Sequence, residues 1–390
     1  LTAYAQTDPS IAAHYDFQPF LFRIDRPEKI LAAYEDPGIA AFSAAIWNEQ
    51  LCLTVAEEVK RRFPDCLIVF GGTQVPHDPR EYMAQHPFID ICSRAEGEEA
   101  YKALLAKHID SDSYEDVPNI AWRRPGASDA GEIVVNCDAP KQERDLDVYP
   151  SPYLEGLYDE LMAANAETRF QAIIETNRGC PFLCTFCYWG KGGLSRKYRY
   201  FGIERVRQEF EWFGKNGIAF IYNADSNFGM NRRDEEIAQI MVDTKARYGA
   251  PEKVVNLYGK NTNDRIFEIG KLLADNGMHK GMGLSRQSMN PDALDAVKRQ
   301  NIKLSVYQEL QERFEEAGVS VFSELIIGLP GETYESFGEG IEELLTRSFN
   351  CQLLIVLCEI YPNTEMADPT YIDEHGLLIQ RNKSVGVHSK

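Results

Sequence analysis

The sequence predicts an α/β protein with two sheets in succession: an N-terminal doubly wound parallel sheet of the Rossmann or flavodoxin kind, then a partial (β/α)6 barrel. Three observations predict it. Apolar runs at 39–46 (IAAFSAAI), 66–70 (CLIVF) and 89–92 (IDIC) alternate with helix-spaced stretches at 49–62 and 97–107. A second alternation supplies six strand candidates, 171–176, 218–223, 253–258, 280–286, 319–327 and 352–358. Helical segments fall between them near 203–216, 234–248, 263–276, 291–317 (in two pieces) and 332–347.

Residues 1–38 supply at most one strand, so the first sheet reads as incomplete at its start. The apolar run at 39–46 is followed by an amphipathic helix from Glu49 to Arg62, and the run at 66–70 by Gly71-Gly72, a tight turn. From 109 to 168 the pattern loosens into a Ser/Asp stretch, a strand around AWRR, a PGASDAG turn and a strand at EIVVN, which reads as a linker carrying a β-hairpin. The expected organisation is a first α/β domain over 1–108, a linker over 109–168, the barrel over 169–365 and the start of a C-terminal region over 366–390.

A chain of 390 residues is long enough for two or three domains. It has no uninterrupted apolar run near the roughly 20 residues a bilayer span requires, which excludes a membrane-crossing helix. The net charge of −19 argues against electrostatic capture of nucleic acid. One basic stretch, 191–199 (KGGLSRKYR), is either a contact for an anionic ligand or a solvated loop. No signal peptide is legible, although the chain begins with Leu1 and its first strand is expected upstream. Cys52, Cys66, Cys92, Cys137, Cys351 and Cys358 are scattered, as expected of reduced, buried thiols in a cytoplasmic protein.

Barrels of this kind place their chemistry at the C-terminal ends of the strands. Polar residues follow each predicted strand: Asn177 and Arg178, then Asp225, Ser226 and Asn227, then Lys260 and Asn261, then Gln287 and Ser288, then Gly328 to Glu332, then Glu359 and Tyr361. Loops are polar in any protein, so this supports the barrel without proving it.

The loop after the first barrel strand carries Cys180, Cys184 and Cys187, spaced C-x3-C-x2-C. Disulfide pairing would leave one thiol over, and structural zinc normally takes four ligands, with no second pair or nearby His to complete the set. Three thiolates suit a [4Fe-4S] cluster with one iron open, the soft ligands matching a soft centre.

With Phe186 before the last cysteine, this spacing on this loop resembles the radical S-adenosylmethionine (radical SAM) superfamily. The resemblance implies that the open iron chelates S-adenosylmethionine and that an electron from the cluster cleaves it to a 5′-deoxyadenosyl radical. It extends over about 170–365. The run from Ile327 to Glu332 (IGLPGE), with Gly328 and Glu332, resembles a motif lying against the adenine. Asn223 to Asn227 (NADSN), including Asp225, stands where the family contacts the methionine moiety, and Ser285 to Gln287 where a polar residue meets the ribose or carboxylate. Phe186 would offer its backbone to the base.

Upstream, the segments AFSAAIWNEQ, IVFGGTQVP and IDICSRAEGEEA resemble the cobalamin-binding domain that precedes this barrel in one branch of the superfamily. Small residues after parallel strands, Ser43 and Gly71-Gly72, let a corrin or its nucleotide tail approach the backbone. The Asp-x-His-x-x-Gly motif of that domain is absent from the chain, and Trp47 is a candidate for the lower face of the corrin.

Together with PSPYL at 150–154, the pattern is most similar to cobalamin-dependent methylases of natural-product biosynthesis. That implies methyl transfer from S-adenosylmethionine, via methylcobalamin, to a carbon of a small natural product or modified peptide. Lys260 and Tyr361 are candidate substrate contacts, and an external electron donor such as flavodoxin or ferredoxin is implied. Two alternatives stay open: a radical SAM enzyme of another reaction type (methylthiotransfer, cyclisation or rearrangement), and a non-catalytic iron–sulfur or zinc protein.

Overall fold

The structure is a computed structural model describing residues 1–125, 131–138, 143–189, 197–259, 264–279, 281–347 and 351–380. The chain divides into two compact units. Unit 1 comprises Leu1–Glu143, Tyr361–Asn363 and Leu378–Lys390, and unit 2 comprises Arg144–Ile360 and Thr364–Leu377.

Unit 1 is built on a five-stranded sheet in sequential order: β1 (Ile39–Ser43), β2 (Leu67–Gly71), β3 (Ile91–Ser93), β4 (Ile120–Arg124) and β5 (Glu132–Val135). The first three strands are parallel, and β4 and β5 add antiparallel. Helix α1 (Glu49–Arg62) buries Leu53, Ala56 and Val59, the i, i+3 stripe that seats it on the sheet, and ends in Lys60, Arg61 and Arg62, which complement the negative end of its dipole. Lys60 reaches Asp90 at 2.9 Å and the Cys66 carbonyl at 2.9 Å, while Asp90 accepts from the Ile68 N–H, so one ion pair locks helix to strand. Helix α2 (Arg80–Gln85) joins α1 on one face, with Met83 against Ile68 and Phe70. Helix α3 (Glu98–His108) brings Ala100 and Leu104 into a second core with Val69, Ile91 and Trp122.

Two features of this half bear on what the sequence suggested. The hairpin exists, but its strands extend the sheet instead of crossing a linker, so unit 1 runs to Glu143 and not to 108. Asn136 secures it, donating to the carbonyls of Tyr114 (2.6 Å) and Val117 (2.7 Å) and accepting from the Trp122 indole (3.2 Å). The strand order also never reverses among the described residues, so the switch point of a doubly wound sheet is not seen among them.

Unit 2 contains six parallel strands in two runs. The first is ordered β8-β7-β6, with β6 (Gln171–Ile174), β7 (Phe220–Phe228) and β8 (Lys253–Tyr258); the second is β9 (Met282–Gly283), β10 (Val321–Ile327) and β11 (Cys351–Leu357). Helices α4 (Ile203–Lys215), α5 (Arg233–Tyr248), α6 (Asp264–Asp275), α7 (Leu304–Glu316) and α8 (Tyr334–Arg347) alternate with them. A short helix at Pro291–Ala296 makes the expected two pieces before β10. The core packs Ile266 of α6 and Leu310 and Phe314 of α7 on Met282, Val321 and Leu325.

Strand β7 runs four residues of sequence, Ala224 to Asn227, beyond its expected end and continues to Phe228, so Asp225 lies in the strand and not in a loop. Strand β9 is shorter than 280–286: Gly281, at φ 130°, lies just before it, and it ends at Gly283, ahead of the left-handed Gln287 (φ 67°). The C-terminal helix α9 (Pro369–His375) belongs to unit 2, beyond the 365 limit expected for the barrel.

Candidate functional site

The three cysteines occupy the loop after β6, and all three are free thiols; Cys180 and Cys184 are buried and Cys187 half-buried. The loop is pinned at its middle by Thr185. Its N–H donates to Val297 O (3.1 Å), its carbonyl accepts from Met366 N (3.0 Å), and its hydroxyl meets the Tyr371 phenol of α9 (3.2 Å). Gly179, at φ 109°, turns the chain into the loop, and its carbonyl accepts from Ser226 Oγ at 2.7 Å. Among the described residues no three His, Cys, Asp or Glu side chains are gathered closely enough to hold a single metal ion. A cluster asks for wider spacing than one ion, because its three thiolates attach to three different irons at separate corners of a cube.

Two polar side chains address the sulfurs: Asn227, which the sequence placed on the rim without this role, and Arg299, which it did not single out. Asn227, at the end of β7, donates from Nδ2 to Cys180 Sγ at 3.2 Å. Arg299 is hydrogen-bonded to the Cys184 side chain and lies in the field of Cys187 and Glu324; burial pushes its guanidinium down from its ordinary value, and these neighbours pull it back up. It is 8% exposed and is held by Ser285 O (2.6 Å) and Asn301 Oδ1 (2.9 Å). Donors to soft anionic sulfur suit an iron–sulfur cluster.

The other expected contacts divide into two sets. Ser285 and Gln287 converge on Glu324 of β10, with Ser285 Oγ 2.6 Å and Gln287 Nε2 3.4 Å from one carboxylate oxygen. Gln287 holds its left-handed backbone because its N–H and C=O bracket β10, bonding Glu324 O (2.7 Å) and Ile326 N (2.8 Å). Phe186 packs with Ile326, Leu329 and Tyr371, bringing the cysteine loop beside the GLPG turn. In that turn Gly328 and Gly331 take φ 93° and 79°.

Asn223, Asp225 and Glu332 are instead committed to the protein itself. Asp225 is wholly buried, and its carboxylate accepts from the N–H groups of Thr176 (2.7 Å) and Asn177 (3.0 Å) and from the Thr176 hydroxyl, fixing the stem of the cysteine loop. Burial pushes its pKa up to about 6. Asn223 donates to Asn256 Oδ1 (3.0 Å) and accepts from the Asp225 N–H (3.2 Å). Glu332 takes hydrogen bonds from Ser288 and Ser336, clamping the loop after β9 to the GLPG turn.

In unit 1, Ser43 and Gly71 are register partners at the ends of β1 and β2. Trp47 is 63% exposed, with Ile46 beside it also exposed, which excludes a core role for the indole. Asn48 shapes this loop, accepting from Ala45 N (2.7 Å) and donating to Ser43 O (3.0 Å). Gly72 is at φ 100°, where an added Cβ would lie 2.4 Å from Ala44 O, so its glycine is required by the chain's own backbone. Gly71 has room, an added Cβ lying 3.8 Å from Ser93 Cβ. Nearby, Ser93 Oγ and Gln74 Nε2 are buried without a hydrogen-bond partner among the described residues. Apolar exposure and orphaned polar atoms at strand ends suit a large, mixed-polarity ligand.

Tyr361–Asn363 groups with unit 1, where Asn363 bonds Val75 O (2.9 Å) and His77 N (2.5 Å). Lys260, and 191–196 of the basic stretch, lie outside the described residues. Of the scattered thiols, Cys66 and Cys92 are buried as expected, whereas Cys137 is exposed.

A family model described as the Radical SAM superfamily matches residues 174–344. Two curated proteins are each 38% identical over 97% of the chain: the cobalamin-dependent radical SAM methyltransferase TokK of Streptomyces tokunonensis and the 2-(S-pantetheinyl)-carbapenam-3-carboxylate methyltransferase of Streptantibioticus cattleyicolor. The chain spans 55% of the length of each. In fold it is similar to the radical S-adenosylmethionine methyltransferase TsrM of Kitasatospora setae, solved with cobalamin and a [4Fe-4S] cluster, with a TM-score of 0.66, 16% identity and 87% of this chain and 65% of that one covered.

Proposed function

We propose that the chain, whose residues 174–344 match the Radical SAM superfamily model, carries the cluster and cobalamin sites of a methyltransferase acting on a carbon of a small natural product. The observation that carries the proposal is the set of free Cys180, Cys184 and Cys187 on the loop after β6, two of them addressed by hydrogen-bond donors from elsewhere in the unit.

When bound, a [4Fe-4S] cluster supplies the electron for cleaving S-adenosylmethionine, and cobalamin supplies a carrier for the methyl group. The protein's own work is to bind and orient. Cys180, Cys184 and Cys187 hold the cluster as thiolates, while Thr185 and Asp225 keep their loop in place. Ser285, Gln287 and Glu324 offer polar groups to the ribose or amino acid end of S-adenosylmethionine, and Phe186 and the Gly328 turn flank its base. Asn223, Asp225 and Glu332 shape the walls of that site. In unit 1, Ser43, Gly71 and Trp47 present a surface to cobalamin, and Gly72 shapes the turn beneath. The doubly wound reading of unit 1 stays a proposal, supported by helices on both faces of its sheet.

The carbapenam carboxylate in the name of one relative favours a small molecule over a modified peptide as substrate. Lys260 and Tyr361 remain proposed substrate contacts. An external flavodoxin or ferredoxin is the proposed electron source. No described helix is long and apolar enough to cross a membrane, and the charge of −19 disfavours nucleic acid, in keeping with a cytoplasmic location. The test is anaerobic reconstitution with iron, sulfide and cobalamin, followed by metal analysis and product detection. About four irons per chain, bound cobalt, and 5′-deoxyadenosine with S-adenosylhomocysteine are expected. A colourless protein without iron overturns the proposal.

A further inference from the structure

Arg299 stands out among the buried groups of unit 2 because it is a cation whose surroundings explain its position only in part. Its Nε donates to Asn301 Oδ1 at 2.9 Å and its Nη2 to Ser285 O at 2.6 Å, two anchors that fix the plane of the guanidinium. The backbone beneath it is fixed too, since Arg299 N donates to Leu294 O at 2.9 Å. Arginine has five N–H donors in a rigid fork, so anchoring two leaves further donors aimed in a set direction. One of them is taken by the Cys184 side chain, with which Arg299 makes a hydrogen bond. On the other flank of the cysteine loop, Asn227 Nδ2 reaches Cys180 Sγ at 3.2 Å. The two donors differ in kind, one charged and one neutral.

We infer that Arg299 is a positioning residue that sets the reduction potential of the cluster held by Cys184, with Asn227 exerting a weaker effect of the same sign through Cys180. The inference rests on the cluster assignment above. An electron entering the cluster makes it one charge more negative. A buried cation and N–H donors directed at its sulfur ligands stabilise that added charge, and so raise the potential. Little water intervenes, because Arg299 is 8% exposed and Cys180 and Cys184 are 7% each. Lysine would keep the charge but lose the fork, and one ammonium cannot meet Ser285 O, Asn301 Oδ1 and Cys184 with the same geometry.

The chain is reconstituted anaerobically with iron and sulfide alone, without S-adenosylmethionine or cobalamin, and titrated with a reductant while the reduced cluster is followed by electron paramagnetic resonance. Arg299→Gln is expected to lower the equilibrium constant for reduction about tenfold, which is about 59 mV for one electron. Arg299→Lys and Asn227→Ala are expected to lower it by a smaller factor. Wild-type potential in Arg299→Gln, or a shift to higher potential, overturns the inference. Should Arg299→Gln retain no iron, Arg299→Lys decides: a lower potential supports the inference, and an unchanged one overturns it. Wild-type protein that takes up no cluster defeats the assignment underneath, whereas a cluster whose potential ignores Arg299 defeats only the role given to Arg299.

Discussion

The strand-end loops of the two units differ in how much of their surface is already committed to the protein itself. In unit 2 the polar side chains around the cysteines are spent on one another: Asp225 on Thr176 and Asn177, Glu332 on Ser288 and Ser336, Arg299 on Ser285, Asn301 and Cys184. In unit 1 the corresponding ends of β1, β2 and β3 leave an indole in solvent, and Gln74 Nε2 and Ser93 Oγ are buried without partners among the described residues; unit 2 also has such atoms, Asn177 Oδ1 and Asn256 Nδ2 among them. A small inorganic centre with directional ligands needs its sulfurs held before it arrives. A broad organic ligand can supply surface and hydrogen bonds of its own. The contrast predicts that substitutions in unit 2 act on a prebuilt scaffold, and those at the open strand ends of unit 1 on binding.

The sharpest way to break the comparison is at the cysteines. Cys180→Ala, Cys184→Ala and Cys187→Ala should each abolish iron retention and reduce 5′-deoxyadenosine formation by more than about 100-fold, since a lost ligand costs more than a lost outer-shell partner. The apo-proteins should keep near wild-type thermal midpoints, because Thr185, Gly179 and Asp225 fix the loop independently of the thiols. A variant that keeps full iron content and turnover would remove the cluster from the loop. Circular dichroism alongside iron analysis separates loss of ligand from loss of fold.

The second test exploits the adjacent glycines of unit 1. Gly72→Ala forces a Cβ to 2.4 Å from Ala44 O at a left-handed φ of 100°, and is expected to destabilise the fold by about 3 kcal/mol. Gly71→Ala places its Cβ at an ordinary 3.8 Å and should change stability by less than about 0.5 kcal/mol. The two glycines are alike in sequence, yet only Gly72 is required by the chain's own backbone. Equal unfolding free energies for the two variants would erase that distinction.

This pair shows where the sequence is legible and where it is not. Apolar runs announce the strands well, and 253–258 matches β8 residue for residue. The cysteine spacing is local, so it reads directly. The fate of a carboxylate is not local: the backbone N–H groups and hydroxyls that bond Asp225 and Glu332 come together only in the fold. Arg299 lies far downstream of Cys184 in sequence, and no pattern around it signals a thiol partner. The hairpin at 120–135 was legible as a hairpin, but its edge partner β3 comes from another part of the chain, so its membership of the sheet was not.

A third, smaller effect concerns pH. Asp234 of α5 accepts from Gly229 N (2.8 Å) and Asn231 N (3.0 Å), while its other oxygen has no partner among the described residues; burial above all pushes its pKa up to about 6. A carboxyl that is more basic folded than unfolded binds an extra proton in the native state between about pH 4 and pH 6. Stability from this group is therefore complete at the acid end of that window and is lost as pH rises through 6. Two pKa units set an upper bound near 3 kcal/mol, and about 2 kcal/mol is expected. Asp225 titrates in the same direction, so the cluster-free wild type should unfold more readily at pH 7.5 than at pH 5. Asp234→Asn should flatten that dependence; an unchanged slope in urea titrations at the two pH values would show that the group pays no burial penalty.

The last effect tests the open side of the comparison and is the smallest. Trp47 is 63% exposed, so Trp47→Ala removes surface area already in water and should alter unfolding free energy by less than about 0.5 kcal/mol. If the indole is a binding surface for cobalamin, the same change removes contact area formed only in the complex. Affinity should then fall about tenfold, near 1.4 kcal/mol, in a spectroscopic titration of the cofactor. Trp47→Phe keeps an aromatic face and should recover most of it. The pairing of an unmoved melting curve with a weakened titration is what a ligand-facing residue produces and what a packing residue cannot, because packing loss reaches the fold before it reaches the ligand. A Trp47→Ala variant that melts early yet binds cobalamin with wild-type affinity would place the indole among the scaffold residues, and the two units would then differ in their ligands but not in how they are built.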